Sequence, residues 1–482
     1  MLQPQDKQPK SLYLLFFTEA WERFGFYTLQ TIIVLYMSKQ LLFSDDQSYQ
    51  LYAIFSALIY LTPVIGGYLA DRVLGYQRAV IIGGVMLTLG YGVMIINTSA
   101  AFFAGLAILI TANGFFKANV SSLVGTLYER DDPRRQGGFT LFYMGINIGS
   151  LFPPLIAGVL VHRYGWHSGF LMASIGMLLG LVTFLVGRRM LADHGSVPRG
   201  SPLLAGRRLL FYTLFYVAVL GFTYIFYLAF QHPQAVDFIL EFSGLAVALV
   251  VGYFIFHEHA DKRRKLIASV ILIIISVGFW ALYNQTFTSL MLYADRNMAK
   301  PFMGIQLTAE MTQFFNPFFI IVLSPLLSRL WLKLGRHGHD PSIPTKFAFG
   351  VLFMAAGFIF LSLGGQCCGS DGIVSPWWLV GSYFLQTVGE LLISPIGLSM
   401  VTVLSPPKLV GMMMGVWFFA QAESAALAGF LARFSAVPDA ANLSQALGIY
   451  DSAFMNYGLL TLGLGVVAIA LIPFLKKMIA NE

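Results

Sequence analysis

The sequence predicts an all-α membrane protein, and three observations carry that prediction: composition, the recurrence of long apolar runs, and the placement of basic residues between them. Of 482 residues, 57% are hydrophobic and 11% charged, with mean hydropathy +0.72, against about 25% charged in an ordinary soluble domain. Apolar runs of about 20 residues, enough to cross a hydrocarbon layer ~30 Å thick, recur from Leu12 almost to the C-terminus. A soluble fold is excluded.

Hydropathy and helix breakers place the spans in order at 12–38, 51–70, 77–97, 101–127, 137–160, 166–186, 207–230, 235–256, 265–290, 310–333, 345–364, 375–402, 409–432 and 450–475. The first starts behind Lys7 and Lys10, the second stops at Asp71 and Arg72, the sixth at Arg188 and Arg189, and the last at Lys476 and Lys477. Pro63, Pro153, Pro154, Pro317 and Pro395 fall inside spans, where neighbouring helices can satisfy the freed backbone groups. The count is fourteen.

Loop charge tests the count, because cytoplasmic loops collect Lys and Arg. With both termini inside, twenty-three of the 30 Lys and Arg fall on the inner connections and five on the outer ones. The two that remain, Arg23 and Lys117, lie inside predicted helices and need an explanation. The stretch 187–264 reads as an insertion, a basic link followed by two helices. It leaves an N-terminal six-helix bundle at 1–186 and a C-terminal one at 265–482. That arrangement resembles the major facilitator fold, in which two bundles rock around a mid-membrane site. Gly67-Tyr-Leu-Ala-Asp71-Arg72-Val-Leu-Gly75-Tyr-Gln-Arg78 resembles the loop motif of that fold, with a weaker echo at Arg329, Lys333, Gly335 and Arg336.

Several functions are disfavoured. The net charge of +7 would serve nucleic-acid binding only on a basic face of a soluble domain, and topology accounts for it instead. Cys367 and Cys368 are adjacent in a Gly-rich loop, where an unstrained bridge rarely forms. No His/Cys cluster has metal-ligand spacing and no phosphate-loop lysine motif is present, so neither a metal nor a cofactor is expected. The first apolar run is interrupted by Glu19, Glu22 and Arg23 and reads as a retained helix rather than a signal peptide.

An ionisable residue inside a span costs at least ~2.5–3.5 kcal/mol and usually faces a partner or a watery cavity. Glu19, Glu22, Arg23, Phe26, Tyr27 and Gln30 form one stripe of the first helix. The competing reading of that stripe is a structural ion pair. Lys117, in the fourth span, is the available partner for the surplus negative charge. Glu390 in the twelfth span has no cation in its own helix and precedes Pro395 by about one turn, beside irregular backbone. Glu423 in the thirteenth sits among Ala and Gly, equally compatible with function and packing. Tyr60, Asn147, Tyr283, Asn284, Gln285, Gln313, Asn316 and Trp417 add polar or aromatic groups at mid-span; singly, each reads as a helix–helix contact more readily than as a ligand. Glu19, Glu22, Glu390, Arg23 and Lys117 together carry one net negative charge when ionised, which one proton neutralises. A zwitterion could then bring its carboxylate to the cations and its ammonium to Glu390.

At these residues the chain resembles the proton-dependent oligopeptide transporter (POT) family. The matching stretches are Glu19-Ala-Trp-Glu22-Arg23-Phe24-Gly-Phe26-Tyr27, Gly114-Phe-Phe-Lys117-Ala-Asn119, Phe142-Tyr143-Met-Gly-Ile-Asn147-Ile-Gly-Ser and Gly389-Glu390-Leu-Leu-Ile-Ser394-Pro395. The resemblance implies a proton-coupled symporter of di- and tripeptides, working as a monomer in the cell inner membrane, with peptides, protons and lipids as its partners. It implies that Glu19, Glu22, Arg23 and Lys117 couple protons, and that Tyr27, Tyr60, Lys117, Asn147, Tyr283, Asn316, Glu390, Ser394 and Trp417 bind substrate. The chain departs from the pattern at Phe26, at Gln30 where many members carry Arg, and at Tyr283 and Asn284, which replace two Glu. A major facilitator for another solute and a membrane-embedded enzyme are the alternatives. A pocket carboxylate at Glu390 disfavours an inorganic anion, and no nucleophile–base pair supports the enzyme.

Overall fold

Every predicted span is helical in the computed structural model, which describes residues 7–129, 132, 134–198, 201, 208–337, 340–367, 371–406 and 408–480. The helices are α1 (Lys10–Lys39), α2 (Asp45–Leu69), α3 (Tyr76–Met94), α4 (Ser99–Thr126), α5 (Arg135–Leu151), α6 (Pro153–Tyr164), α7 (Trp166–Gly187) and α8 (Arg208–Gln231). They continue as α9 (Pro233–His257), α10 (Ala260–Tyr283), α11 (Ser289–Asn297), α12 (Phe315–Arg336), α13 (Ile343–Gln366), α14 (Pro376–Leu404), α15 (Val410–Ala432) and α16 (Leu443–Ile479). Among the described residues, 13 helical segments are long and apolar enough to cross a membrane. The charged α1, 30 residues long and so about 45 Å, makes the fourteenth. The chain is a multi-pass membrane protein with the predicted all-α architecture.

Two spans are less regular than their hydropathy implies. The fifth is α5 plus α6, broken at Phe152 because Pro153 and Pro154 occupy the first positions of α6, where a missing N–H costs nothing. The ninth runs through α10, a tighter turn at Asn284–Phe287 and α11, well beyond the predicted end at 290. Past it, Pro301–Phe302 and Ile305–Gln306 pair as a two-stranded antiparallel hairpin, with Met303 and Gly304 at positive φ in its turn. Cys367 is exposed and unbridged; Cys368 lies outside the described residues, as does part of the 187–264 link.

The chain packs as two units, Met1–Tyr36 with Leu58–His232, and Met37–Ala57 with Pro233–Glu482. In the first, α3 lies on α4 and α7, α4 also meets α5 and α8, and α6 pairs with α7. Gly66 sets the closest approach: a Cβ there would stand 1.8 Å from the Gly114 carbonyl oxygen, so α2 and α4 touch backbone to backbone. After α2 a wide turn at Ala70–Leu74 ends at Gly75, with φ 76°, a value that favours glycine. Asp71 and Arg72 are exposed on this turn. The segment following α7 folds back over it, with Gln77 Nε2 donating to the carbonyls of Ala192 at 3.1 Å and His194 at 2.7 Å.

In the second unit, α10 packs on α13, α14, α15 and α16, while α13 also pairs with α14 and α16. Helix α16 begins with a capping box, in which Asn442 Oδ1 accepts from the Gln445 N–H at 2.9 Å and Gln445 Oε1 accepts from the Asn442 N–H at 3.0 Å. The start of α2 belongs to this unit. Arg296 of α11 grips Asp45 through two bonds, of 2.5 and 2.8 Å, and also donates to the Tyr450 hydroxyl at 2.9 Å.

Candidate functional site

Helix geometry puts the predicted stripe of α1 on one face, and that face is buried. Glu19, Glu22 and Arg23 are each less than 5% exposed. Arg23 Nε lies 3.1 Å from Glu19 Oε1 and 2.5 Å from Glu22 Oε2, so a single guanidinium serves two carboxylates. Among the described residues, Glu19 Oε2, Glu22 Oε1 and Arg23 Nη2 are buried without a hydrogen-bond partner. Such residual capacity is uncommon in packed interiors. The arrangement depends on α5: a Cβ at Gly149 would stand 2.3 Å from the Ala20 carbonyl and 2.9 Å from the Arg23 Cβ, so α5 presses directly on this face.

Lys117 belongs to the same unit, and its ammonium rests over aromatic rings. Its Nζ is 4.8 Å from the Tyr60 centroid and 5.9 Å from that of Phe26, within reach of a cation–π contact. Among the described residues no carboxylate lies within ion-pair distance of it; Arg23 holds both Glu19 and Glu22. Arg23 also faces Phe26, 5.0 Å from the centroid. Phe26 therefore serves both cations as a ring, for which it needs no hydroxyl. Tyr27 and Tyr60 are half-buried in this unit, while the Asn147 amide donates to the Tyr143 carbonyl of its own helix at 2.9 Å.

The second unit gathers four of the expected residues on α10, α12 and α14, with Trp417 beyond them. Asn316 Nδ2 donates to Glu390 Oε2 at 2.7 Å and to Thr387 Oγ1 at 3.1 Å, and the Tyr283 hydroxyl donates to Asn316 Oδ1 at 3.2 Å. Glu390 is 7% exposed. Ser394 follows one turn later, half-buried, beside the interior Pro395 of α14. The Trp417 ring lies on Gly397, where a Cβ would come within 2.2 Å of it; that glycine makes room for the indole one turn beyond Ser394. Thr387 was not among the expected residues, although its place three positions before Glu390 was a readable signal. Gln285 is fully buried and ties the turn after α10 to α15 through the Ala428 carbonyl at 2.9 Å, which makes it a packing residue. Gln313 donates to the Thr286 carbonyl and acts likewise.

Three comparisons bear on this arrangement. The family model described as "POT family" matches residues 77–450. A dipeptide and tripeptide permease A of Erwinia pyrifoliae is 41% identical over 99% of this chain and 96% of its own. The permease of the same name from Salmonella typhimurium is 37% identical over 99% and 94%. Among solved structures, a mutant of the peptide transporter POT in complex with alafosfalin superposes with TM-score 0.84 and 34% identity, covering 98% of this chain and 96% of that one. A POT family transporter in complex with 5-aminolevulinic acid gives TM-score 0.85 at 26% identity, covering 98% of both chains. The chain belongs to the POT family and is a transporter rather than an enzyme.

Proposed function

We propose that the chain is a proton-coupled symporter that imports di- and tripeptides across the cell inner membrane by alternating access, with both termini cytoplasmic. The observation that carries this reading is the buried Glu390 carboxylate, held by a neutral Asn316 amide, while the intramembrane cations Arg23 and Lys117 belong to the other unit. A carboxylate with a neutral donor is suited to a ligand ammonium, and Lys117, with no carboxylate in ion-pair distance among the described residues, suits a ligand carboxylate. Peptides carry both ends, separated by roughly 3.3–3.6 Å per extended residue. The names of the relatives support the same substrate class.

In this reading Glu19, Glu22, Arg23 and Lys117 couple protons, and Tyr27, Tyr60, Lys117, Asn147, Tyr283, Asn316, Glu390, Ser394 and Trp417 receive the peptide. Residues 1–186 and 265–482 act as the two six-helix bundles, with 187–264 as linker and added helices. A single copy is the working unit, surrounded by lipid. The test compares dipeptides with free and acetylated N-termini in the Glu390→Gln variant. Affinity for the free peptide falls selectively, because an acetylated one brings no ammonium. Equal loss for both would place the ammonium site elsewhere.

A further inference from the structure

The second unit also holds a cavity that takes no part in that reading. It measures about 690 Å³ and lies between α12, α14 and the start of α13, lined by Ser324, Leu327, Trp331, Arg336, Lys346 and Ile396, among others. Both long walls carry an interior proline, Pro325 in α12 and Pro395 in α14, and proline bends a helix and loosens its packing. From Ser324 to Arg336 the cavity follows α12 for about 18 Å, at 1.5 Å per residue. Ser324 stands near the middle of α12 and Arg336 at its end. The cavity therefore runs from mid-membrane to the boundary, the depth of one leaflet, about 15 Å of hydrocarbon.

Its polarity changes along that length. The inner part is mainly apolar, with Leu327, Leu391, Pro395 and Ile396 facing it. The Ser324 hydroxyl donates to the Ile320 carbonyl of its own helix at 2.6 Å, so it needs no polar partner from the cavity. At the other end Lys346 Nζ lies 4.8 Å from the Trp331 centroid and pairs with Asp340 at 2.9 Å. Arg336 is exposed and has no ion-pair partner among the described residues, so it leaves the mouth with one surplus positive charge. Tryptophan and basic side chains together are typical of a membrane–water boundary. A soluble anion would use only this mouth. A phospholipid uses both ends, with its phosphate at the cations and an acyl chain reaching toward the midplane. The volume holds about twenty groups the size of a water at ~30 Å³ each, enough for a headgroup and part of one chain.

We propose that this cavity holds an anionic phospholipid of the leaflet that meets the α12–α13 connection, with its phosphate at Arg336 and one acyl chain along Leu327, Leu391 and Ile396. Native mass spectrometry of the purified full chain tests it, with phosphatidylglycerol and phosphatidylcholine of identical acyl chains and soluble glycerol phosphate as probes. Phosphatidylglycerol is retained about fivefold better than phosphatidylcholine, whose own ammonium offsets its phosphate. That preference falls to parity in Arg336→Gln and survives in the double variant Lys476→Gln/Lys477→Gln, which removes basic charge from the end of α16. Leu327→Trp fills the apolar length and lowers retention of both lipids. Equal retention of the two lipids by the unmodified protein overturns the proposal, as does an unchanged preference in Arg336→Gln. Loss of the preference in the α16 double variant would make it a general response to basic charge and overturns it too. Undiminished retention in Leu327→Trp would place the lipid outside the cavity, with the same consequence; where that variant folds poorly, Arg336→Gln, at an exposed position, decides the matter. Binding of soluble glycerol phosphate without retention of the lipid would make this a site for an aqueous anion and overturns it equally. The readout involves no transport, so its failure leaves the peptide reading untouched.

Discussion

The Asn316 side chain donates to Glu390 Oε2 at 2.7 Å, and that one bond fixes both the orientation of the carboxylate and the spacing of α12 against α14. A hydrogen bond to a charged group is worth about 1.5–3 kcal/mol. In Asn316→Leu the carboxylate loses its donor and the Tyr283 hydroxyl its acceptor. The KM for a free dipeptide then rises by about tenfold or more, measured by uptake into proteoliposomes, while Asn316→Gln recovers part of the loss. An unchanged KM in the leucine variant would remove Asn316 from the binding site.

Glu22 shares Arg23 with Glu19, so removing its charge leaves the guanidinium one carboxylate partner at 3.1 Å. Glu22→Gln therefore folds, keeps counterflow exchange and loses proton-driven accumulation, because a neutral amide imitates the protonated carboxyl but cannot release a proton. Lys117→Ala also impairs accumulation. Gradient-driven accumulation that survives in Glu22→Gln would show that this carboxylate is not essential to coupling.

Asp45 is 4% exposed and accepts from both Arg296 and the Val437 N–H, the latter at 3.0 Å. Replacing Asp45 by Ala strands a guanidinium whose side chain is 27% exposed, at a cost of about 3 kcal/mol, the lower end for breaking a buried pair. The thermal midpoint in detergent falls accordingly. The double variant with Arg296→Met recovers part of it; strictly additive losses would mean that the pair contributes nothing as a pair.

Outside the spans, Lys408 forms an ion pair with Glu258. That hydrogen bond is the largest influence on the carboxyl and, against the opposing effect of burial, holds it below its ordinary 4.5. A depressed folded-state value stabilises the fold above the unfolded value, and the stabilisation is lost as pH falls through the folded one. Lys408→Gln therefore lowers the thermal midpoint slightly at neutral pH, and the difference from the unmodified protein closes as pH falls through the depressed value of the Glu258 carboxyl. A difference that persists in acid would assign the effect to packing.

The architecture was legible because apolar length and loop charge are one-dimensional signals: the breaks at Arg72 and Arg188 needed only hydropathy and positive charge, whereas α16 runs through Lys476 to Ile479. The stripe of α1 was legible for the same reason, since helical periodicity alone places Glu19, Glu22 and Arg23 on one face. Partner choice was not. Lys117 was expected to balance the surplus carboxylate, but Arg23 lies on the same helix turns and reaches both, leaving the ammonium over Tyr60 and Phe26. Gln285 and Thr387 look alike in composition. Only the three-dimensional neighbours, a helix carbonyl for one and the Asn316 amide for the other, separate packing from the candidate site. The tight turn after Tyr283 and the hairpin at 301–306 depend on backbone geometry that hydropathy does not encode.

Uptake of a labelled dipeptide into liposomes containing the purified protein, with an imposed inward proton gradient, tests the central claim most directly. The peptide should accumulate above its external concentration, leak back when a protonophore collapses the gradient, and fail to accumulate in Glu22→Gln while still exchanging across the membrane. Dipeptide flux that equilibrates without ever exceeding the external concentration, whatever the gradient, would contradict proton-coupled symport.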